Sequence, residues 1–249
     1  MIRYFLLDLD GCLTRPFQTP DWQAVTAIRD LQIRSEDDKT IPALSLCTGR
    51  PLPYAEAVAQ WMGIRDLVIF ESGGGFFHPV TNKLIWSPHF TPEIARKSKE
   101  LRAWFTNELL PRYPDMLIEF TKHTDVGMVH TDPVEIEDVY EIACFKVEQQ
   151  YPEFEVHRTD VSVNIILREC NKASGLRFFA DYYGITSDEL AYIGDSTGDL
   201  MALKWAGTGF APANAVPEVK KQAHVTREEA TLGVLEAYRM LIDINKIKV

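Results

Sequence analysis

Four times along this chain a short apolar run stops abruptly at a polar tip that contains glycine. Ile2 to Leu7 leads into Asp8-Leu9-Asp10-Gly11, and Ala43 to Cys47 into Thr48-Gly49-Arg50. Leu67 to Phe70 leads into Glu71-Ser72-Gly73-Gly74-Gly75, and Leu190 to Ile193 into Gly194-Asp195-Ser196-Thr197-Gly198-Asp199. Runs of Val, Ile, Leu and Phe without polar alternation mark parallel strands buried on both faces. Between them lie helical patterns over Asp21 to Ile33, Pro53 to Met62, Ala173 to Tyr183 and Leu200 to Trp205. Strands alternating with helices of this length predict βαβ units and a parallel sheet.

The middle of the chain breaks that rhythm. Thr91-Pro92-Glu93 reads as a helix start, with Pro at the first helical position, and the helix should run to about Leu110. Short strands follow at Met116 to Thr121 and Val126 to Thr131, then a helix from Pro133 to about Gln150, then strands at Phe154 to Arg158 and Val161 to Leu167. Helix-strand-strand, repeated, predicts a small antiparallel sheet with helices on one face. The fold class expected is therefore α/β, a Rossmann-like parallel-sheet core with an inserted α+β cap domain. The expected boundaries are 1–79 for the first part of the core, 80–168 for the insert and 169–249 for the rest of the core.

Composition narrows the partners. Of 249 residues, 46% are hydrophobic and 25% charged, enough apolar material for a sizeable core. A formal net charge of −10 argues against nucleic acid or an anionic membrane as partner, since phosphate backbones are neutralised by basic patches. It leaves room for a small phosphorylated metabolite, which needs only a few local cations and amides. No apolar stretch approaches a membrane span, and no leader pattern precedes the acidic Asp8. The four cysteines, Cys12, Cys47, Cys144 and Cys170, form no Cys-x-x-Cys pair. A reduced, cytoplasmic protein, monomer or homodimer, is the expectation.

Ligands in open α/β sheets bind at the carboxyl ends of the strands. Asp8 and Asp10 should project from such an end, with Gly11 turning the chain away. Two carboxylates that close together stay ionised cheaply only with a cation between them, unless one keeps a proton. The arrangement suits a metal-assisted nucleophile beside a general acid; a polar strand end and a turn is the plainer alternative.

Asp8/Asp10, Thr48-Gly49-Arg50, Asn171-Lys172 at a helix start and Asp195/Asp199, in that order, resemble the haloacid dehalogenase superfamily of phosphohydrolases. The type and position of the insert resemble its Cof-like branch, which contains sugar-phosphate and phosphoglycolate phosphatases. The resemblance implies a Mg²⁺-dependent phosphatase in which Asp8 is the nucleophile, forming an aspartyl-phosphate, and Asp10 the acid that serves the leaving oxygen and then activates water. It implies Mg²⁺ held by Asp8, the backbone carbonyl of Asp10 and Asp195, with Asp199 on the metal or on a metal-bound water. Thr48 and the amide of Gly49 suit phosphate oxygens at a helix start, and Lys172 suits phosphate and nucleophile together. Arg50 is left open between touching substrate and pairing with a core carboxylate.

Three positions depart from the family pattern: Gly198 stands where Asn is usual, Cys12 where Thr is usual, and Ser72 where Asn is frequent. Cys12 reads as a small buried residue rather than a nucleophile. Asn214 reads as a loop or cap residue.

In the resembled family the insert is a lid whose sheet touches the leaving group. Period-two reading places Met116, Ile118 and Phe120 on the apolar face with Val161, Val163, Ile165 and Leu167. Glu119, Thr121, Ser162 and Asn164 then face the other way, His123 sits on the turn, and the face of His157 and Arg158 is ambiguous. Hydroxyl, amide and carboxylate groups suit a polyol, so a sugar phosphate is the expected ester. Lys122 or Arg158 keeps phosphoglycolate open, a phosphomutase or phosphotransferase outcome is a further alternative, and Gly198 raises a non-catalytic phosphate-ligand sensor.

Overall fold

A computed structural model describes residues 1–159 and 161–247. Contacts divide the chain into two compact units, Met1–Ile85 with Lys172–Val249, and Trp86–Asn171. The insert was expected at 80–168. Its start lies later because residues 83–86 pair as the last strand of a hairpin, and Ile85 packs against the core of the first unit.

The first unit opens with β1 (Tyr4–Leu7), α1 (Trp22–Arg34), β2 (Ala43–Leu46), α2 (Leu52–Met62), β3 (Val68–Phe70), β4 (Gly75–His78) and β5 (Lys83–Trp86). The second unit contains α3 (Pro92–Trp104), prolonged by a π-helical turn at Phe105–Leu109, then β6 (Leu117–Ile118) and β7 (Val126–Val129). It continues with α4 (Pro133–Gln150), β8 (Phe154–Arg158) and β9 (Ser162–Leu167). The chain returns to the first unit with α5 (Lys172–Tyr183), β10 (Leu190–Ile193), α6 (Leu200–Trp205), β11 (Thr208–Ala211), α7 (Pro217–Lys220), β12 (His224–Val225) and α8 (Ala230–Ile247).

The main sheet has the order β12-β11-β10-β1-β2, and every pair in it is parallel. Phe5, Leu6 and Leu7 of β1 and all four residues of β10 are fully buried, as the unbroken apolar runs require. A bridge from Cys47 to Ile69 attaches β3 beyond β2. Strand order reverses at β1, whose two neighbours come from opposite directions in sequence, so the tips of β2, β1 and β10 flank a topological switch point.

Helices are tied to this sheet by specific polar groups as well as by packing. Asp21 caps α1, accepting from the Gln23 and Ala24 amides. Buried Gln32 of α1 accepts from Leu44 N–H at 2.6 Å and donates to Gly63 O at 3.3 Å. Gly175 lets α5 approach β3 closely: a β-carbon there would stand 2.8 Å from Ile69 Cγ2.

In the second unit all strand pairs are antiparallel, in the order β6-β7-β9-β8. Leu101 and Trp104 of α3, and Ile136, Val139, Ala143 and Val147 of α4, pack on Val126, Met128, Val163, Ile165 and Leu167 of the sheet. Alternation along β9 is as expected. Along β6 it fails: Phe120 is 78% exposed rather than on the apolar face. The ladder ends with Glu119 N–H on Gly127 O, and a turn begins at once with Lys122 N–H on Glu119 O. Arg102 of α3 secures that turn, its guanidinium donating to the carbonyls of Glu119, Lys122 and Asp125.

One side chain closes the first unit end to end. Asn245 of α8 is fully buried; it accepts from Ile2 N–H at 2.8 Å and donates to Ile2 O at 2.7 Å and Thr40 O at 3.1 Å. Asn245→Ala strands buried backbone groups, so urea unfolding should show a loss of about 2–4 kcal/mol.

Candidate active site

β1 delivers Asp8 to its tip, where Leu9 N–H donates to Asp8 Oδ1 at 2.8 Å. The chain then folds back on itself: Gly11 N–H donates to Thr14 O, Leu13 N–H to Asp8 O, and Thr14 N–H to Leu9 O. Gly11 sits at φ +80°, and a β-carbon there would collide with the Asp195 carboxylate. That collision places Asp195, at the tip of β10, directly against the Asp8–Thr14 turn.

Lys172, the first residue of α5, joins the strand tips. Its buried ammonium lies 2.8 Å from Asp8 Oδ2 and 2.6 Å from Asp199 Oδ1. Asp199 is fully buried and fully used. Tyr192 OH also donates to its Oδ1 at 2.5 Å, and its Oδ2 accepts from Asp195 N–H, Ser196 N–H and Ser196 Oγ–H at 3.0–3.1 Å. Both its oxygens face donors of the chain, a geometry that suits anchoring Lys172 better than ligating an ion.

Arg50 grips Asp10 with its fork: Nε to Oδ2 at 2.6 Å and Nη2 to Oδ1 at 2.9 Å, while its plane lies over Tyr54, 5.1 Å from the ring centre. Of the two readings left open for Arg50, pairing with a carboxylate is present in the structure. Buried Thr48 is held from three sides: its N–H donates to Ile69 O, its carbonyl accepts from Ser72 N–H, and its Oγ accepts from Arg50 N–H at 3.1 Å. Gly49 follows it into the start of α2, against Ser72. Glu71 and Ser72 adopt φ of +46° and +55°, uncommon for residues with side chains, and so fold the β3 tip back toward Thr48.

Asp8, Asp10, Thr48, Gly49, Arg50, Lys172, Asp195 and Asp199 therefore gather at neighbouring strand tips of one unit. Glu119, His123 and Asn164 belong to the second unit. There Lys122 is buried with Glu119 Oε2 at 2.9 Å, Asp125 Oδ2 at 3.1 Å and Asn164 Oδ1 at 2.8 Å, while His123 is exposed beside Trp86. Of the two groups expected to receive a substrate carboxylate, Lys122 is an ammonium already enclosed by acceptors, and Arg158 pairs with Glu137.

Two contributors, Tyr192 and Thr231, went unread in the sequence, and a third was read only as a loop or cap residue. Tyr192 showed only as a phenol in an otherwise aliphatic strand, although a buried hydroxyl needs a partner. Thr231 donates to Leu13 O at 2.8 Å. Asn214, read as a loop or cap residue, accepts from Ala230 N–H at 2.7 Å at the start of α8 and also donates to Gly11 O at 2.8 Å, tying the Asp8–Thr14 turn to that helix.

The charges named here do not balance. Asp8, Asp10, Asp195 and Asp199 face Lys172 and Arg50, an excess of two negatives. Burial holds the Asp8 carboxyl well above the usual range, with the charges of Asp199 and Asp195 adding to it and Lys172 opposing. Burial and the Asp199 charge push Asp195 up to about 7. Asp199 goes the other way: burial is outweighed by Lys172 and by its hydrogen bonds. Burial likewise lowers Lys172, but the Asp199 and Asp8 charges win and keep it protonated. A divalent cation at Asp8 and Asp195 would supply the missing charge, and hard carboxylate oxygens are what Mg²⁺ accepts. Ligand atoms of Asp8, Asp195 and Cys12 all lie within 4.8 Å of one another.

A carboxyl whose pKa rises on folding weakens the fold as pH climbs from its ordinary value to the shifted one. For Asp195 that window runs from 3.8 to about 7. Chelator-treated protein should lose urea-unfolding stability across it. Asp195→Asn should lose less, and the difference between the two isolates Asp195 from the same-signed shift of Asp8.

A family model described as haloacid dehalogenase-like hydrolase matches residues 121–237. Phosphoglycolate phosphatase of Methanococcoides burtonii is 28% identical over 238 residues, 95% of each chain. A Thermoplasma acidophilum protein of known crystal structure superposes with a TM-score of 0.72 at 21% identity, covering 97% of this chain and 98% of its own. Sucrose-phosphatase of Synechocystis, solved with sucrose and phosphate, does so at 0.68 and 15% identity, covering 97% and 98%. With the strand-tip carboxylates, the lysine at the start of α5 and the inserted α+β unit, these likenesses support a phosphatase similar to those of the haloacid dehalogenase superfamily.

Proposed function

We propose that this phosphatase is a Mg²⁺-dependent phosphomonoesterase of small phosphorylated metabolites that works through an aspartyl-phosphate on Asp8. The observation that carries the reading is the Lys172 ammonium between Asp8 and Asp199, with Asp195 beside the same turn. One Asp8 oxygen is held by Leu9 N–H and the other by Lys172, so the carboxylate is aimed before substrate arrives. Asp8, the Asp10 carbonyl and Asp195 would hold Mg²⁺, which when bound neutralises charge on the phosphoryl oxygens.

The remaining work belongs to the chain. Asp8 attacks phosphorus in line while the bond to the leaving oxygen breaks, and Asp10 gives that oxygen its proton. Asp10, again a carboxylate, then takes a proton from water as the water attacks the aspartyl-phosphate, releasing phosphate and restoring Asp8. Lys172 offsets charge on the phosphoryl group and on Asp8, and Thr48 Oγ–H with the Gly49 amide binds phosphate oxygens. Arg50 orients Asp10, and Asp199 anchors Lys172.

For the ester, the reading favours a sugar phosphate. Glu119 and Asn164 offer polar groups suited to hydroxyls, with His123 as a further determinant, and Lys122 is already enclosed by acceptors. A second reading, phosphoglycolate, is favoured by the name of the Methanococcoides relative.

Asp8→Asn should cut Mg²⁺-dependent turnover roughly a thousandfold or more in a phosphate-release assay, and normal hydrolysis by that variant would remove the nucleophile assignment. Asp10→Asn should lower kcat by about 10²–10⁴-fold. A panel of phosphate esters, including phosphoglycolate and hexose phosphates, decides the substrate. Glu119→Ala and Asn164→Ala should reorder kcat/KM across it, and an unchanged order would discard those residues as determinants.

A further inference from the structure

The turn that carries Asp8 and Asp10 also carries a thiol, and the phosphatase chemistry gives it no task. Cys12 N–H donates to Leu9 O, which curls the chain so that Cys12 follows directly on the Gly11 backbone against which Asp195 packs. Its side chain is fully buried and free of any disulfide, and it makes no side-chain hydrogen bond among the described residues. The other thiol near Lys172, that of Cys47, is turned instead to the Lys172 carbonyl at 3.8 Å. Sγ of Cys12 and carboxylate oxygens of Asp8 and Asp195 lie within 4.8 Å of one another, two from one turn and one from the next strand tip.

Such a donor set discriminates between classes of cation. Mg²⁺ takes hard oxygen ligands and gains nothing from sulfur. A borderline-soft divalent ion binds thiolate at about 2.3 Å and carboxylate oxygen at about 2.0–2.2 Å, which the three side chains reach with shifts of about an ångström. We propose that Cys12, Asp8 and Asp195 form a binding site for thiophilic divalent cations of the Zn²⁺, Cd²⁺ and Co²⁺ class, overlapping the Mg²⁺ site and excluding Mg²⁺ from it. As the ion binds, the Cys12 proton passes to solvent and the sulfur donates its electron pair to the metal. The ion takes the same Asp8 and Asp195 carboxylates that Mg²⁺ would use, so the two ions compete for one site. The inference rests on the reading of Asp8 and Asp195 as a shared cation site.

The test uses the full chain stripped of metal by chelator. Titrated with Co²⁺, it should develop the near-ultraviolet charge-transfer absorption of a cobalt–thiolate bond. Cys12→Ser should lack that band, and Cys47→Ser should keep it. Zn²⁺ affinity by calorimetry should fall in Cys12→Ser by at least about tenfold, the low end of what losing even an outer-shell partner costs. X-ray absorption on the Zn²⁺-loaded wild type needs no variant and should show one sulfur neighbour at about 2.3 Å. A shell of oxygen and nitrogen alone, or a cobalt band that persists in Cys12→Ser, overturns the proposal. Calorimetry with Mg²⁺ separates the two readings. If Mg²⁺ binding is lost in Asp195→Asn while zinc shows no sulfur, only the thiol assignment falls; if Asp195→Asn binds Mg²⁺ like wild type, the shared site falls with it.

Discussion

One ammonium group, shared by two buried carboxylates from different strands, is the contact on which the strand-tip site depends. Lys172 reaches its position because α5 begins there, and it binds Asp8 from β1 and Asp199 from beyond β10. Burying three ionised groups is costly, and their mutual attraction offsets that cost only when the remaining hydrogen-bonding capacity is met. Asp199 meets it in full, with Tyr192 and the 195–196 backbone closing around it. Asp8 does not, and Asp195 is less enclosed still. The structure thus holds one carboxylate rigidly and leaves its neighbours short of positive charge, the arrangement expected where a metal and a phosphoryl group are to be received.

The same logic explains how polar groups from far along the chain support the turn around Gly11. Its carbonyls at Gly11 and Leu13 are taken by Asn214 and Thr231, residues of the last third of the sequence. The sheet provides the rigid frame, since β1 and β10 are buried on both faces and pair in register from Tyr4↔Leu190 to Leu7↔Ile193. A shift of one residue in that register would carry the β10 tip, and Asp195 with it, along β1 relative to Asp8. Core packing and site geometry are therefore one constraint here.

The second unit solves a different problem. Its sheet packs one face on α3 and α4 and keeps a buried ionic cluster of Lys122, Glu119, Asp125 and Asn164 at the end of β7 and β9. Asp125 and Glu119 hold the Lys122 ammonium above its ordinary pKa against the opposing effect of burial. Arg102 fixes the turn through three carbonyls. Such a network orders a segment whose local sequence, with Phe120 exposed, would not fix it by hydrophobic alternation.

The amino-acid sequence by itself determined the parallel core and the α+β insert, because burial on two faces or one leaves period and composition in the chain. It also marked Asp8, Asp10, Thr48 and Asp195 as strand-tip groups, since glycine and charge stand where apolar runs stop, and Lys172 as a helix-start residue through the family resemblance. It had no means of showing that Asp199 is saturated, that Arg50 takes Asp10, or that Tyr192 and Asn214 brace the site. Nor could it show that β6 ends at Ile118 and throws Phe120 outward. Those outcomes rest on which donor meets which acceptor across separations of up to 203 residues, as with Asn214 and Gly11. Hydrogen-bond pairing at that range leaves no periodic trace in a sequence; only the packed tertiary structure decides it.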